Sequence, residues 1–203
     1  MKKYNFQKVF KTFKKNYISV PLEVFGNDPF KTLISTLLSS RTKDEVTLQA
    51  SQRLFKKASN INKLSHLKES EIKKTIYPVG FYKTKAKHLL KLAGILKKDF
   101  QGRIPDTGKK LMSLPGVGIK TANLVLNRAF GFPAIAVDTH VHKISNLLGW
   151  VKTEKPEETE KELVKIVPRK YWKDLNRLFV SIGRQFTTKE RLINFLKENK
   201  LIS

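Results

Sequence analysis

The apolar residues of this chain recur at helical spacing almost throughout its length. Phe30, Leu33, Ile34, Leu37 and Leu38 fall on one face of a helix, and Asn27-Asp28-Pro29 ahead of them supplies a cap followed by a proline suited to a first turn. Thr42-Lys43-Asp44-Glu45 has the form of a capping box, in which hydroxyl and glutamate each satisfy a free amide, and predicts a helix running to about Lys57. Ala86, Leu89, Leu90 and Ala93 repeat the pattern, as do Leu163, Val164 and Val167. Trp172, Leu175, Leu178, Phe179 and Ile182 line another face, and Thr187 with Glu190 forms a second capping box. No segment alternates as a half-buried strand does. The connections are short and carry glycine or proline, at Pro78-Val79-Gly80, Gly102 to Pro105, Pro115 to Gly118, Gly131 to Pro133 and Pro156. The pattern predicts an all-α protein of about ten helices, without internal repeats, with a lobe boundary near Gly131-Phe132-Pro133.

Charge changes the picture. The 203 residues hold 41 Lys+Arg against 17 Asp+Glu, a formal charge of +24, and the 40% hydrophobic content is enough for one sizeable core or two small ones. Such a charge costs self-repulsion, and the usual compensating partner is a polyanion, with nucleic acid ahead of an anionic membrane surface. The acids are unevenly placed. Glu154, Glu157, Glu158, Glu160 and Glu162 lie together, whereas no acid occurs between Glu71 and Asp99, a stretch holding Lys73, Lys74, Lys83, Lys85, Lys87, Lys91, Lys97 and Lys98. Absence of cysteine excludes disulfides, thiolate zinc sites, cysteine nucleophiles and thiolate-held iron–sulfur clusters. No apolar run approaches the ~20 residues that span a bilayer, and Met1-Lys2-Lys3-Tyr4-Asn5-Phe6 lacks a signal-peptide core. The expectation is an intracellular protein of the cytoplasm, nucleoid or nucleus, monomeric and without a membrane partner.

Leu111 to Ala122 reads as a short helix, a Gly116-Val117-Gly118 turn and a second helix through about Phe130. The glycines permit a tight turn and let backbone amides approach an anion, while Leu114 and Val117 anchor the turn in a core. The helix start adds unpaired amides and a positive dipole end, a site for one phosphate that is blind to base sequence. Ordinary helix–helix turns also contain glycine, so the turn alone does not choose between these readings. Lys120 falls in the first turn of the second helix, where the dipole disfavours a cation, and a lysine whose charge is disfavoured is a nucleophile for Schiff-base chemistry. A phosphate-binding or merely solvated lysine fits the same position.

Eighteen residues on, the apolar run Ala134 to Val137 ends in Asp138, which reads as the cap of the next helix. Capping alone would account for it. The apolar approach would also leave the carboxylate partly desolvated, and the short connection would let it face Lys120 across a cleft. His140 and His142 are two apart on a helix and point to different faces, which argues against a chelating pair.

Leu114-Pro115-Gly116-Val117-Gly118-Ile119-Lys120-Thr121-Ala122, followed at that separation by Val137-Asp138-Thr139-His140-Val141, resembles the helix-hairpin-helix glycosylase superfamily and, within it, the endonuclease III family. The likeness runs from about Pro29 to Phe186 and includes Leu38-Ser39-Ser40-Arg41-Thr42-Lys43-Asp44 and Val79-Gly80-Phe81-Tyr82-Lys83-Thr84-Lys85-Ala86. The resemblance implies two all-α lobes around a DNA cleft, residues 22–131 forming the lobe with the hairpin and residues 1–21 joining 132–203 in the other. It implies a base-excision repair enzyme that flips a damaged, oxidised pyrimidine out of double-stranded DNA, cuts its glycosidic bond and nicks the abasic site by β-elimination. Lys120 would attack C1′, and Asp138 would assist its deprotonation and stabilise the developing sugar cation. Gly116, Val117, Gly118, Thr121, Ser39, Arg41, Asp44, Phe81, Tyr82, Lys83, Lys85, His140 and Arg184 would contact DNA. No organic cofactor is implied, and the hairpin offers a place for a monovalent or divalent cation.

Flipping a base costs a few kcal/mol of stacking and pairing, and something must hold the gap open. Phe81, at the tip of a glycine-containing turn beside Tyr82, suits a wedge between bases. The family more often has leucine there, and it usually has glutamine where this chain has Arg41. A larger departure lies at the C-terminus, where the family continues into a four-cysteine loop holding an iron–sulfur cluster. Here Gly183-Arg184-Gln185-Phe186 runs into Thr187-Thr188-Lys189-Glu190-Arg191. Leu192, Ile193, Phe195 and Leu196 are expected to form a final helix in the cluster's place, with Lys189 or Arg191 taking over phosphate contacts. Two other readings keep part of this pattern: a monofunctional mismatch or uracil glycosylase with Asp138 as general base for water, and a non-enzymatic helix-hairpin-helix DNA-binding protein.

Overall fold

The computed structural model describes residues 4–203; Met1 to Lys3, part of the N-terminal sextet read above, lie outside the described residues. Among these the chain forms twelve α-helices and no strand. They are α1 (Phe6–Lys15), α2 (Pro29–Ser39), α3 (Asp44–Lys57), α4 (Ile61–Ser65), α5 (Glu69–Ile76), α6 (Tyr82–Asp99), α7 (Gly108–Met112), α8 (Ile119–Arg128), α9 (Thr139–Leu147), α10 (Pro156–Ile166), α11 (Trp172–Gln185) and α12 (Lys189–Glu198). The two beyond the expected ten come from short pieces such as α4 and α7, each of five residues, too brief to show a period. The chain divides into two compact units. Pro21–Phe132 holds α2 to α8, and the residues up to Val20 with Pro133–Ser203 hold α1 and α9 to α12.

In the Pro21–Phe132 unit, α2 is the central helix, packed against α3, α6 and α8. Its sequence shows one apolar face, yet Thr32, Ser35 and Thr36 are buried along with Leu33, Ile34 and Leu38. Burial of these hydroxyls is tolerated because they find backbone acceptors: Thr32 Oγ1 donates to the Phe25 carbonyl at 3.0 Å and Ser35 Oγ to that of Thr32 at 3.3 Å. Asp28 caps the helix, accepting the Lys31 amide at 3.0 Å, with Pro29 in the first turn. The capping box expected at Thr42 does not form. α3 begins at Asp44 with no side-chain cap, and the Thr42 hydroxyl instead donates to the Ser40 carbonyl at 3.1 Å and accepts the Gly80 amide at 3.1 Å. A tertiary bond has replaced the local one. Asp44 and Glu45 in the first turn and Lys56 and Lys57 in the last still match the helix dipole.

The other unit is built on aromatic rings. Phe179 of α11 is fully buried, with ring centroids 5.1 Å from Phe13, 5.6 Å from Trp150 and 6.1 Å from Phe10. Leu163 and Val167 of the α10 segment are buried four residues apart, but Val164, expected on the same face, is 44% exposed because it sits a third of a turn round the helix. The capping box expected of Thr187 and Glu190 does not form; Thr188, one residue on, caps α12 alone, its hydroxyl accepting the Arg191 amide at 3.2 Å. Phe186 stacks on Phe195 at 4.4 Å and sets the chain's entry into that helix. The helix after the hairpin also ends sooner than expected, at Arg128 rather than Phe130. Among the described residues no helix is long and apolar enough to cross a membrane.

Phe179→Ala removes the ring shared by α1 and α11 and is expected to lower unfolding free energy by about 3–5 kcal/mol in denaturant titration. An unchanged midpoint would mean that this aromatic core does not hold the unit together.

Candidate functional site

The hairpin connects α7 to α8 through residues 113–118. Leu114 and Val117 are buried, and the Val117 amide donates to the Leu114 carbonyl at 3.1 Å, so the turn is fastened from below. Its two glycines serve different ends. Gly116 has φ +79°, and a Cβ there would lie 2.9 Å from His88 Nδ1, so both backbone and packing require glycine. Gly118 has an extended backbone that any residue adopts, and a Cβ there would meet nothing within 4 Å. Gly118 is also the N-cap of α8 and has no side chain to offer its amides, leaving those of the first turn for an external acceptor. Ile119 and Lys120 are exposed and Thr121 is half-buried, placing the Lys120 ammonium in solvent two residues from the open glycine.

In the second unit, Ile135, Ala136 and Val137 are buried and deliver the half-buried Asp138 to the start of α9. Its Oδ1 accepts the amides of His140 at 3.0 Å and Val141 at 2.9 Å. The cap uses one carboxylate oxygen, and among the described residues Oδ2 has no hydrogen bond. Capping and a chemical role are therefore compatible in one side chain. The two histidines part as their spacing requires. His140 lies against Gly183 of α11, where any Cβ would overlap its ring, and His142 Nδ1 pairs with Thr159 Oγ1 at 2.6 Å. Arg184, next to Gly183, is half-buried and has a partner of its own.

The remaining predicted contacts gather at two turns of the Pro21–Phe132 unit. Arg41 and Phe81 are exposed, both left-handed at φ +51° and +55°, and the Arg41 guanidinium lies 5.8 Å from the centre of the Phe81 ring. Lys83 is exposed; Tyr82 is half-buried with its ring edge-on to Tyr77 at 5.3 Å; Ser39 Oγ donates to the Thr36 carbonyl at 2.8 Å; Asp44 opens α3. Lys85 departs from expectation. Its ammonium turns inward, donating to the carbonyls of Leu38 at 2.8 Å and Ser40 at 2.5 Å and to Thr42 Oγ1 at 3.3 Å, which uses all three N–H groups and leaves none for a phosphate. Burial pushes this ammonium down to about 8.

A pocket of about 510 Å³ opens between these turns and the hairpin, lined among others by Ser40, Arg41, Phe81, Lys85, His88 and Gly116. His88 was not singled out from the sequence. The signal was present in its spacing: Thr84, Lys85 and His88 stand at i, i+1 and i+4 near the start of α6, just after Phe81. The cluster implied by the family resemblance does not fit this chain. No cysteine is available, and the segment where thiolates would stand is α12, which puts Leu192, Phe195 and Leu196 into the core. Among the described residues no three His, Asp or Glu side chains group to hold a metal.

Known proteins share this chain's sequence pattern and fold. Residues 34–169 match the family described as HhH-GPD superfamily base excision DNA repair protein. Endonuclease III of Thermotoga maritima is 48% identical over 158 residues, covering 78% of this chain and 74% of that protein. A solved non-covalent endonuclease III–DNA complex superposes with a TM-score of 0.81 at 31% identity, covering 96% of each chain. A trapped endonuclease III–DNA covalent intermediate, the estranged-adenine complex, gives 0.78 at 32% identity over 91% of this chain and 88% of that one. The fold and the hairpin thus define a DNA-repair glycosylase of the endonuclease III type. The chain belongs to the HhH-GPD superfamily of base excision DNA repair proteins.

The two hairpin glycines separate experimentally. Gly116→Ala is expected to destabilise the fold by about 1–2 kcal/mol or more, because alanine is strained at positive φ and meets His88. Gly118→Ala should leave stability within about 0.5 kcal/mol while weakening duplex binding roughly tenfold, the loss of one charge-assisted contact. Equal binding by Gly118→Ala and wild type would remove the hairpin from the interface.

Proposed function

We propose that this protein removes damaged pyrimidine bases, oxidised ones foremost, from double-stranded DNA and then cleaves the abasic strand by β-elimination, with Lys120 as nucleophile and Asp138 as its acid–base partner. The observation that carries the reading is the exposed Lys120 on the first turn of α8, two residues beyond an open glycine and beside amides suited to a phosphate. A phosphate held there fixes the sugar that follows it, and a fixed sugar turns attack at C1′ into an intramolecular event. Through its lone pair, Lys120 Nζ forms a bond to C1′ as the C1′–N bond breaks, and the electrons of that bond leave with the base. Asp138 takes the proton released from the attacking nitrogen. Ring opening, with a proton delivered to O4′, gives an iminium; loss of the C2′ proton then expels the 3′ phosphate, and water releases Lys120. Every step uses side chains and water.

Supporting this assignment, the solved relative trapped as a covalent DNA intermediate has the same fold over most of both chains. The +24 charge supplies the sequence-blind attraction to duplex that any such enzyme needs. Borohydride reduction during incubation with abasic-site duplex should convert wild type to a covalent adduct and leave Lys120→Ala unmodified at equal DNA occupancy. Adduct formation by Lys120→Ala at the wild-type yield would assign the nucleophile elsewhere, and absence of adduct with either protein would favour a hydrolytic glycosylase.

A further inference from the structure

Two turns meet at one end of the pocket: residues 39–42, which leave α2, and residues 78–81, which enter α6. Their backbones touch. A Cβ on Gly80 would overlap the Arg41 carbonyl oxygen, and the Gly80 amide donates to Thr42 Oγ1 at 3.1 Å. Each turn carries at its tip a bulky residue in the left-handed region, Arg41 and Phe81, a conformation that persists only where the surroundings over-determine it. One side chain bonds to the first turn directly and reaches the second through Thr42. Lys85 holds the Leu38 and Ser40 carbonyls, which the end of α2 leaves without helical partners, and also the Thr42 hydroxyl that takes the Gly80 amide. A cation at the C-terminal end of α2 is favoured by that helix's dipole. It stands in the first turn of α6, where the helix has no acidic residue to balance it, so its placement serves the turns rather than its own helix.

We propose that Lys85 is a positioning residue: its ammonium clamps the 39–42 turn to α6 and so presets Arg41 and Phe81 as one rigid wedge before DNA arrives. The inference deepens the repair reading, in which Phe81 enters the duplex, and rests on it. An exposed aromatic on a loose turn must be ordered at the moment of insertion, and that ordering subtracts from the interaction that opens the base pair. A preformed tip avoids the loss. The fall of the Lys85 ammonium to about 8 agrees with a charge drawn out of water to make these bonds.

The role separates from general stability by comparing a substrate that must be opened with one that is already open. Lys85→Met keeps the aliphatic stem and removes the donors; circular dichroism confirms that it folds. Single-turnover base release from a lesion paired in duplex is expected to fall about ten- to a hundredfold, the range for a displaced positioning group, while nicking of an abasic site in single-stranded DNA stays within about twofold of wild type. Phe81→Ala should lose duplex base release in the same measure. Thr42→Val, which deletes only the hydroxyl between Lys85 and Gly80, should show that loss to a smaller degree and covers the case of a Lys85 variant that does not fold. Wild-type duplex activity in Lys85→Met or, should it not fold, in Thr42→Val, alongside a defective Phe81→Ala, overturns the clamp and leaves the wedge standing. Equal losses on both substrates overturn it as well, since they report general damage. Wild-type behaviour of Phe81→Ala on duplex would locate the failure in the wedge reading itself.

Discussion

The turn from Leu114 to Gly118 must satisfy two environments within five residues. Leu114 and Val117 reach down into the hydrophobic core, and Gly116 takes a left-handed backbone so that the chain can pass His88 without a side chain in the way. That internal constraint fixes where Gly118 and the start of α8 emerge, with open space on the outer side and Lys120 following directly. The chemistry assigned to Lys120 depends on this fastening, since an amine on a mobile loop would lose the advantage of a fixed reacting sugar. The fold holds this turn by packing, with Leu114 and Val117 buried beneath it.

Charge works on a longer scale. Ion pairs do little to offset the +24, and those present among the described residues are chiefly local, such as Lys73–Glu69 and Lys165–Glu162 within single helices, where solvent screens them. Asp174 is an exception in kind. Burial acts to raise its carboxyl, yet hydrogen bonds and charge from Lys14 and Arg177 hold it below the usual range, tying α1 to α11. Most other cations face solvent. The protein thus carries its attraction for a polyanion as a broad surface property.

Much of this was legible in the sequence because the signals are local. The cap and apolar face of α2, the Gly-x-Gly turn and the Asp138 cap each depend on residues within a few positions of one another. What escaped was tertiary. Thr42 has the pattern of a helix cap, but Gly80, 38 residues away, takes its hydroxyl. Lys85 has the appearance of one more surface lysine in a basic run, and only the carbonyls left at the end of α2 show why it turns inward. His88 acquires meaning only when the hairpin is folded against it. In the C-terminal segment, the missing cysteines excluded a cluster from composition alone, and the apolar spacing from Leu192 to Leu196 indicated the helix that stands in its place.

Of the 41 basic residues, one particular amine is assigned to the sugar. Mass-spectrometric mapping of the borohydride-trapped adduct after proteolysis tests this most directly. A deoxyribose remnant is expected on the side chain of Lys120 alone. A remnant on the N-terminal amine, or distributed over several lysines of the basic surface, would contradict it.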